Sequence, residues 1–428
     1  MLISFSVRNH RSIKDQVVLN LEATNDDHLE ESRVITWGKS RLLRSVAIYG
    51  ANASGKSNIV KAIKAMQRIV LAATSPSVMS LPASVSRHIS VEPFRLSTLT
   101  QSAPSGFHVE FILEDYTYSY GFEVTAVNVV SEYLTRKGEL GKEAMLFERE
   151  ANKPLRIGDG FAEGKAREQF LRPNSLFVSL CAELNGEIST KILKWFQKIN
   201  ILDGLSDAQN FYDTYERMRD PDGATALADF ARRADLGISG LKLREFDAKN
   251  IRLPAEIPQE VRDRQVSMIV LQNTDIATRH TKYGPGGEPS GEVELSLKQH
   301  ESSGTQKFVM LAAPLQKAID SDAVVIIDEF DSRLHPLLTR ELFEWFHGKS
   351  NSSKAQLILC THDVLLMEPE RIRRDQVWFA EKDSQGGTIL HSLAEYPSDE
   401  VRPTTKFGRR YLLGIFGAVP HPNLREGG

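Results

Sequence analysis

Residues 50–57 read Gly50-Ala51-Asn52-Ala53-Ser54-Gly55-Lys56-Ser57, a G-x-x-x-x-G-K-S run. The spacing suits one task. Its glycines let successive backbone N–H groups turn inward on phosphate oxygens, and a helix starting beside the lysine adds the favourable end of its dipole. Lys56 is then expected to reach the β and γ phosphates of a nucleoside triphosphate, and the Ser57 hydroxyl to ligate magnesium. Gly50, Asn52, Ser54, Gly55 and Asn58 complete the residues expected around the nucleotide. A second run, Val324-Val325-Ile326-Ile327-Asp328-Glu329, is an apolar strand ending in two acids. In a parallel sheet, ligand chemistry gathers at the carboxyl ends of strands. Asp328 is expected to hold magnesium beside Ser57. Glu329, one residue further out, is expected to polarise the attacking water, a role typically contributing about 10²–10⁴ in rate. Alone, either motif has a plainer reading, a glycine turn or a solvated strand end; their agreement favours the chemistry.

The elements that must position these residues are legible around them. A short buried strand at 45–49 leads into the glycine loop, and Ile59, Val60, Ile63, Met66, Ile69 and Val70 mark the amphipathic helix after it. Alternation at 2–7 and 17–21 predicts two strands. Runs at 107–113, 116–124 and 129–135 predict antiparallel pairing with Glu114-Asp115 as a tight turn. Residues 75–90 are rich in serine and proline and read as a loop. Helical spacing dominates from 161 to about 236, too irregular for a coiled-coil arm. Strands are expected again at 266–271 and 293–297, around a glycine-rich turn at 283–291. Helix, strand, helix, strand then follow at 305–319, 323–327, 336–346 and 356–360, the alternation of a parallel sheet with crossover helices. The expected class is α/β, a parallel sheet with an antiparallel lobe and a helical insertion. The expected parts are 1–160, 161–240 and 241–428. Between Lys56 and Asp328 lie 272 positions, and the lobe and helices fill that interval.

The bulk numbers set limits. Of 428 residues, 41% are hydrophobic and 25% charged, which permits a large core and two or three lobes. A net charge of -3 supplies no global field for nucleic acid, so any DNA contact would be a local patch. Two cysteines, Cys181 and Cys360, are too few for a disulfide framework or a zinc site. With no apolar leader and no stretch of membrane-spanning length, the expectation is a cytoplasmic protein without a membrane partner.

Glu301-Ser302-Ser303-Gly304-Thr305-Gln306 precedes Asp328 by about 25 residues. An ordinary helix cap would use Ser302 or Ser303 in the same place. The run also resembles the signature of ABC-type ATPases, in the form used by the RecF, SMC and OLD-like branch. The resemblance implies an ABC-type P-loop head that binds ATP and magnesium, hydrolyses ATP and works as a homodimer. Ser303 and Gly304 would touch the γ-phosphate held by a partner's Lys56, with Ser303 in a catalytic role. Asp331-Ser332-Arg333-Leu334-His335-Pro336 resembles the D-loop, so Asp331 would lie at the nucleotide across the dimer. Thr361-His362-Asp363 resembles the switch segment, whose His362 would sense the γ-phosphate. Asn9-His10-Arg11-Ser12 resembles the N-terminal Asn-Phe-Arg-Ser of RecF-like proteins, with His10 in place of the aromatic; Arg11 and Ser12 would lie near the phosphates. Asn185 is the polar residue best placed for a Q-loop.

The stretch Arg371-Ile372-Arg373-Arg374-Asp375-Gln376-Val377-Trp378-Phe379, then Glu381-Lys382-Asp383, resembles a bacterial subgroup of short OLD-like, AAA-type ATPases, as does 411–420. That subgroup implies anti-phage defence beside a separate Toprim or RloB-like nuclease. A Toprim centre needs an Asp-x-Asp cluster. Asp320-Ser321-Asp322 sits on the turn feeding the Asp328 strand and is not expected to build one, so the effector is expected on another protein. The alternative is a RecF-like repair ATPase that clamps DNA when ATP is bound.

Overall fold

Unbroken apolar runs dictate the centre of the molecule. Ser45–Tyr49 and Gln356–Cys360 are buried at every position, and Val324–Asp328 at all but its last. Strands buried on both faces belong inside a parallel sheet covered on two sides. The computed structural model describes residues 1–72, 88–139, 141–204, 207–254, 257–348, 351–397, 401 and 404–420. The serine- and proline-rich loop expected at 75–90 falls mostly outside them.

Two compact units emerge. The first comprises residues 1–201, 318–330 and 344–428, the second 202–317 and 331–343. In the first unit an antiparallel sheet is built from β1 (Leu2–Arg8) and β2 (Val17–Asn20), with the later strands β6 (Ser105–Leu113), β7 (Tyr116–Val124), β8 (Val129–Gly138), β9 (Ala144–Glu150) and β10 (Arg156–Ile157), in the order β10-β9-β8-β7-β6-β1-β2. A small hairpin joins β3 (Val34–Trp37) to β4 (Ser40–Leu43). The central sheet contains β5 (Ser45–Tyr49), β11 (Asn200–Asp203), β15 (Val324–Asp328), β16 (Gln356–Cys360), β17 (Val377–Lys382) and β18 (Thr388–Ser392), in the order β11-β15-β16-β5-β17-β18. Here β15, β16, β5 and β17 run parallel and β18 returns antiparallel. The fold is α/β, as expected.

The helix Lys56–Leu71 lies between the sheets. It buries Ile59, Val60, Ile63, Met66 and Val70 in one core with Phe5, Val7, Phe107 and Phe122 of the antiparallel sheet and with Val46, Ile48, Ile326 and Ile358 of the central one. Gln356, fully buried, ties the sheets together. Its Oε1 accepts from the Leu2 amide at 2.6 Å, and its Nε2 donates to the carbonyls of Leu2 and Leu43.

The segment 161–240 is shared between the units. Helices Phe177–Glu183 and Glu187–Lys198 join the first core through Phe177, Val178, Ile192 and Phe196, whereas Pro221–Arg233 packs Leu227 and Ala231 with Val309 and Ala313 in the second. The second unit also holds β12 (Gly240–Arg244), β13 (Asp275–Tyr283) and β14 (Pro289–Ser296), an antiparallel three-stranded sheet. The strand expected at 266–271 is instead part of a helix, Gln259–Asn273, with no buried residue. Short apolar runs do not separate strand from helix. Within Gln259–Asn273 the three glutamines, two arginines and Glu260 that flank the apolar run lose little on entering a helix, and they outweigh the β-branched Val266, Ile269 and Val270. The strand of the hairpin is Asp275–Tyr283, and its turn is closed by the Gly284 amide on the Glu288 carbonyl at 2.8 Å. No helix among the described residues is long and apolar enough to cross a membrane.

Candidate nucleotide-binding site

The loop between β5 and the helix Lys56–Leu71 has the curvature its glycines promised. Gly55 adopts φ +112, and a Cβ there would come within 2.0 Å of Thr388 Oγ1; Ala53 is also left-handed, at φ +64. A side chain on Gly50 would meet the Ala380 carbonyl at 2.3 Å. Lys56 is buried, its Nζ donating to the carbonyls of Gly50 at 2.7 Å and Ala51 at 3.0 Å, so the ammonium is held against the loop itself. Ser54 Oγ is buried with no hydrogen-bond partner. A long helix start beside a buried, unpaired hydroxyl suits an oxygen-rich anion. Asn52 is exposed, and Ser57 is partly buried on the first helical turn.

Register brings the other motifs to the same edge. Ile327 on β15 pairs with Leu359 on β16, and Cys360 pairs with Ile48 on β5. Asp328, Thr361 and the glycine loop therefore leave three adjacent strands at one level, with neighbouring strands about 4.8 Å apart. The Thr361 amide donates to the Ile48 carbonyl at 3.1 Å, and Asp363 accepts from the Leu365 amide at 2.9 Å, which fixes the segment carrying the exposed His362. The Glu329 amide donates to Asp328 Oδ1 at 3.1 Å, and Glu329 itself has φ +51. That conformation is uncommon for a residue with a side chain and turns the chain sharply at the strand end. Fully buried Cys360 sits between the acids and the loop. Burial pushes its thiol well above the ordinary value, and the Asp328 carboxylate adds to the effect. Ser57 and Asp328 offer a hydroxyl and a carboxylate, hard oxygen donors of the kind magnesium takes.

The N-terminal turn packs beside the glycine loop. Asn9 and Arg11 are both left-handed, at φ +51 and +53. Arg11 pairs with Glu92 at 2.6 Å on a partly exposed surface. Ser12 Oγ accepts from Asn58 Nδ2 at 2.6 Å and lies 2.8 Å from Thr388 Oγ1. His10 is buried edge-on against Phe107, ring centroids 5.3 Å apart, with neither ring nitrogen hydrogen-bonded. It packs as an aromatic side chain does. Burial, reinforced by the charges of Arg11 and Arg68, lowers its pKa to about 4.

In the second unit the helix Ser303–Asp320 is capped by Ser302, whose Oγ accepts from the Thr305 amide at 3.1 Å. Ser303 is left exposed on the first turn. A Cβ on Gly304 would lie 2.5 Å from the Arg333 carbonyl. Three residues on, Lys307 is fully buried and donates to Ser332, to its carbonyl at 2.9 Å and its hydroxyl at 2.6 Å. The 331–335 segment is thus fastened to the start of this helix. Asp331 is partly buried at its head, where its carbonyl accepts from the Leu334 amide at 3.1 Å.

A family model described as "AAA domain, putative AbiEii toxin, Type IV TA system" matches residues 45–368, from the start of β5 to beyond Thr361-His362-Asp363. The chain belongs to this AAA-domain family. Among solved structures it is similar to the SMC head domain from Thermotoga maritima, 14% identical over 91% of this chain and 98% of that one, with a TM-score of 0.39. It is similar also to the Smc head with an extended coiled coil bound to the C-terminal domain of ScpA from Pyrococcus furiosus, 12% identical over 91% and 96%, TM-score 0.35. The recombination mediator RecF is 14% identical over 92% and 98%, TM-score 0.29. Likeness at this level carries no inference about activity. No curated protein matches the sequence.

Other residues of this AAA-domain chain have structural work. Arg373 is fully buried, bidentate to Asp375 (Nε to Oδ1 2.9 Å, NH2 to Oδ2 2.7 Å), with NH1 on the Asp26 carbonyl at 2.8 Å. Gln376 Nε2 donates to Ser45 at the start of β5. Asn185, at φ +59 after the helix Phe177–Glu183, ends that helix as a left-handed residue does. Asp322 Oδ1 accepts from the Lys354 amide at 2.7 Å. A second Asp-x-Asp, Asp220-Pro221-Asp222, escapes the sequence reading; Asp220 is a helix cap accepting from the Gly223 amide at 2.9 Å. Thr388 escapes it too, because nothing local marks the residue; it lies more than 300 positions from the loop it touches.

Proposed function

We propose that this chain is an ATP-hydrolysing ABC-type ATPase that closes around nucleotide as a homodimer and controls a separate effector protein. The observation carrying the ATPase reading is the alignment of the glycine loop, Asp328–Glu329 and Thr361–His362 on three neighbouring strand ends. Lys56 and the loop amides offset phosphate charge. Ser57 and Asp328 would hold magnesium, which supplies charge neutralisation at the β and γ phosphates. Glu329 takes a proton from water as the new P–O bond forms and the bond to the β-phosphate oxygen breaks, leaving ADP and phosphate. His362 donates to the γ-phosphate.

Ser303 and Gly304 would complete the pocket of the partner subunit, with Asp331 beside them. Support for two chains comes from the signature motif and from an exposed Ser303 whose neighbour Ser302 already does the capping. The effector reading rests on the resemblance of 371–383 and 411–420 to defence ATPases paired with a Toprim or RloB-like nuclease. The family's description as a toxin of a toxin–antitoxin system is consistent with a two-protein arrangement.

The test is phosphate release by purified protein across a range of concentrations, with Lys56→Ala as the control. Specific activity should rise with concentration, and Glu329→Gln with ATP and magnesium should run as a dimer in light scattering. Brisk turnover by a monomer sinks the composite site. For the effector, the adjacent gene's product should bind this chain and change activity with ATP; indifference to ATP ends that part of the reading.

A further inference from the structure

The hairpin of β17 and β18 belongs to none of the nucleotide motifs, yet its return strand begins against the glycine loop. Thr388, 2% exposed, places Oγ1 3.0 Å from the Ser54 carbonyl, 2.8 Å from Ser12 Oγ and 3.0 Å from Lys382 Nζ. Its amide donates to the Ser12 carbonyl at 2.7 Å. We infer that Thr388 is a positioning residue that sets the shape of the phosphate loop, with Ser12, Asn58 and Lys382 as its frame.

The proton directions are fixed by elimination. A threonine hydroxyl has one proton and two acceptor sites. The Ser54 carbonyl can only accept, so Thr388 donates there. The Lys382 ammonium can only donate, so it fills one acceptor site, and the Ser12 hydroxyl fills the other. Asn58 Nδ2 then donates to Ser12 Oγ at 2.6 Å. A one-way chain runs from Asn58 through Ser12 and Thr388 into the backbone immediately before Gly55. Every valence of Thr388 Oγ1 is used, and the hydroxyl fills the space a side chain on Gly55 would need.

The hairpin turn is built to present this hydroxyl. Asp383 Oδ1 accepts from the amides of Gln385 at 2.8 Å and Gly387 at 2.7 Å, and Lys382 Nζ also reaches the Gly386 carbonyl at 2.9 Å. That accounts for Lys382-Asp383 in the stretch the nucleotide site leaves unused. Ser12 and Asn58 thereby act on nucleotide through the loop's shape.

The functional consequence rests on the nucleotide-binding reading, so the test has two arms. Without nucleotide, amide hydrogen exchange is followed over residues 50–58; with it, the Kd for ATP is measured by equilibrium binding. Thr388→Val should speed exchange across the loop and weaken ATP about 10-fold or more, the loss of one or two buried hydrogen bonds. Thr388→Ser should stay within about 2-fold of the parent. Adding Ser12→Ala to Thr388→Val should cost little further, because both cut one chain. Wild-type exchange and affinity in Thr388→Val, or multiplying effects in the double variant, overturn the inference. So does a lowered unfolding temperature with unchanged exchange at 50–58. If Thr388→Val does not fold, Ser12→Ala and Asn58→Ala must show the same overlap, and multiplying effects between them overturn it equally. A parent that binds no ATP, with a loop still loosened by Thr388→Val, defeats the nucleotide reading and leaves the positioning role standing.

Discussion

Gly304 lies under the carbonyl of Arg333, so close that a Cβ would sit 2.5 Å from the oxygen. The start of the helix Ser303–Asp320 and the 331–335 segment are therefore one packed piece within the second unit, pinned again by Lys307 on Ser332. Gly304→Val must push that backbone aside. We expect ATP binding in the first unit to survive and hydrolysis to fall by about 10-fold or more, since misplacement by 1 Å can cost about 100-fold in rate. Parallel binding and phosphate-release assays read the difference. Equal losses in both would place the defect in folding.

Ser303→Arg puts a long cation on the exposed first turn while sparing the Ser302 cap. Nucleotide affinity should stay near that of the parent, and ATP-driven dimerisation should disappear from light scattering. A variant that dimerises and hydrolyses normally counts against a pocket shared between chains.

Glu329→Gln keeps size and shape but removes the carboxylate proposed to take the proton from water. Hydrolysis should drop by about 10²–10⁴ with ATP affinity retained. Single-turnover measurements isolate the chemical step, and a drop below 10-fold would move the base elsewhere.

His10 gives the chain an acid sensitivity with a defined sign. Burial holds its pKa at about 4, against 6.5 for an exposed ring. The unfolded chain therefore binds the extra proton first, and stability falls as pH drops from about 6.5 toward 4, by about 2–3 kcal/mol at the lower end. His10→Phe should remove that component while keeping the packing on Phe107. Denaturant unfolding of both proteins at pH 7 and pH 4.5 checks it; equal slopes would show that His10 is not the titrating group.

Asp375→Ala strands the buried Arg373 guanidinium. Breaking a buried pair by removing one partner typically costs about 3–5 kcal/mol, so the variant should unfold well below the parent in denaturant. A shift under 1 kcal/mol would mean water reaches Arg373.

Much is legible in the residues themselves. The glycine loop, the acids ending an apolar strand and the helix face from Ile59 to Val70 are local patterns, in which spacing along the chain equals spacing in space. The apolar run at 266–271 reads as a strand yet folds as a helix because period alone cannot separate a short strand from a helix turn, and its hairpin lies a few residues on at Asp275–Tyr283.

The sequence by itself determined that a glycine-rich P-loop motif, a pair of acids and a signature-like helix start exist, because each depends on residue type and neighbours only. Tertiary structure decided which distant parts serve them. Parallel register set Asp328 and Thr361 beside the loop strand. A hairpin more than 300 positions away supplied Thr388, and Ser12 and Asn58 became its partners. Hydrogen bonds between strands carry no mark in either strand's sequence, so only the folded chain reveals them.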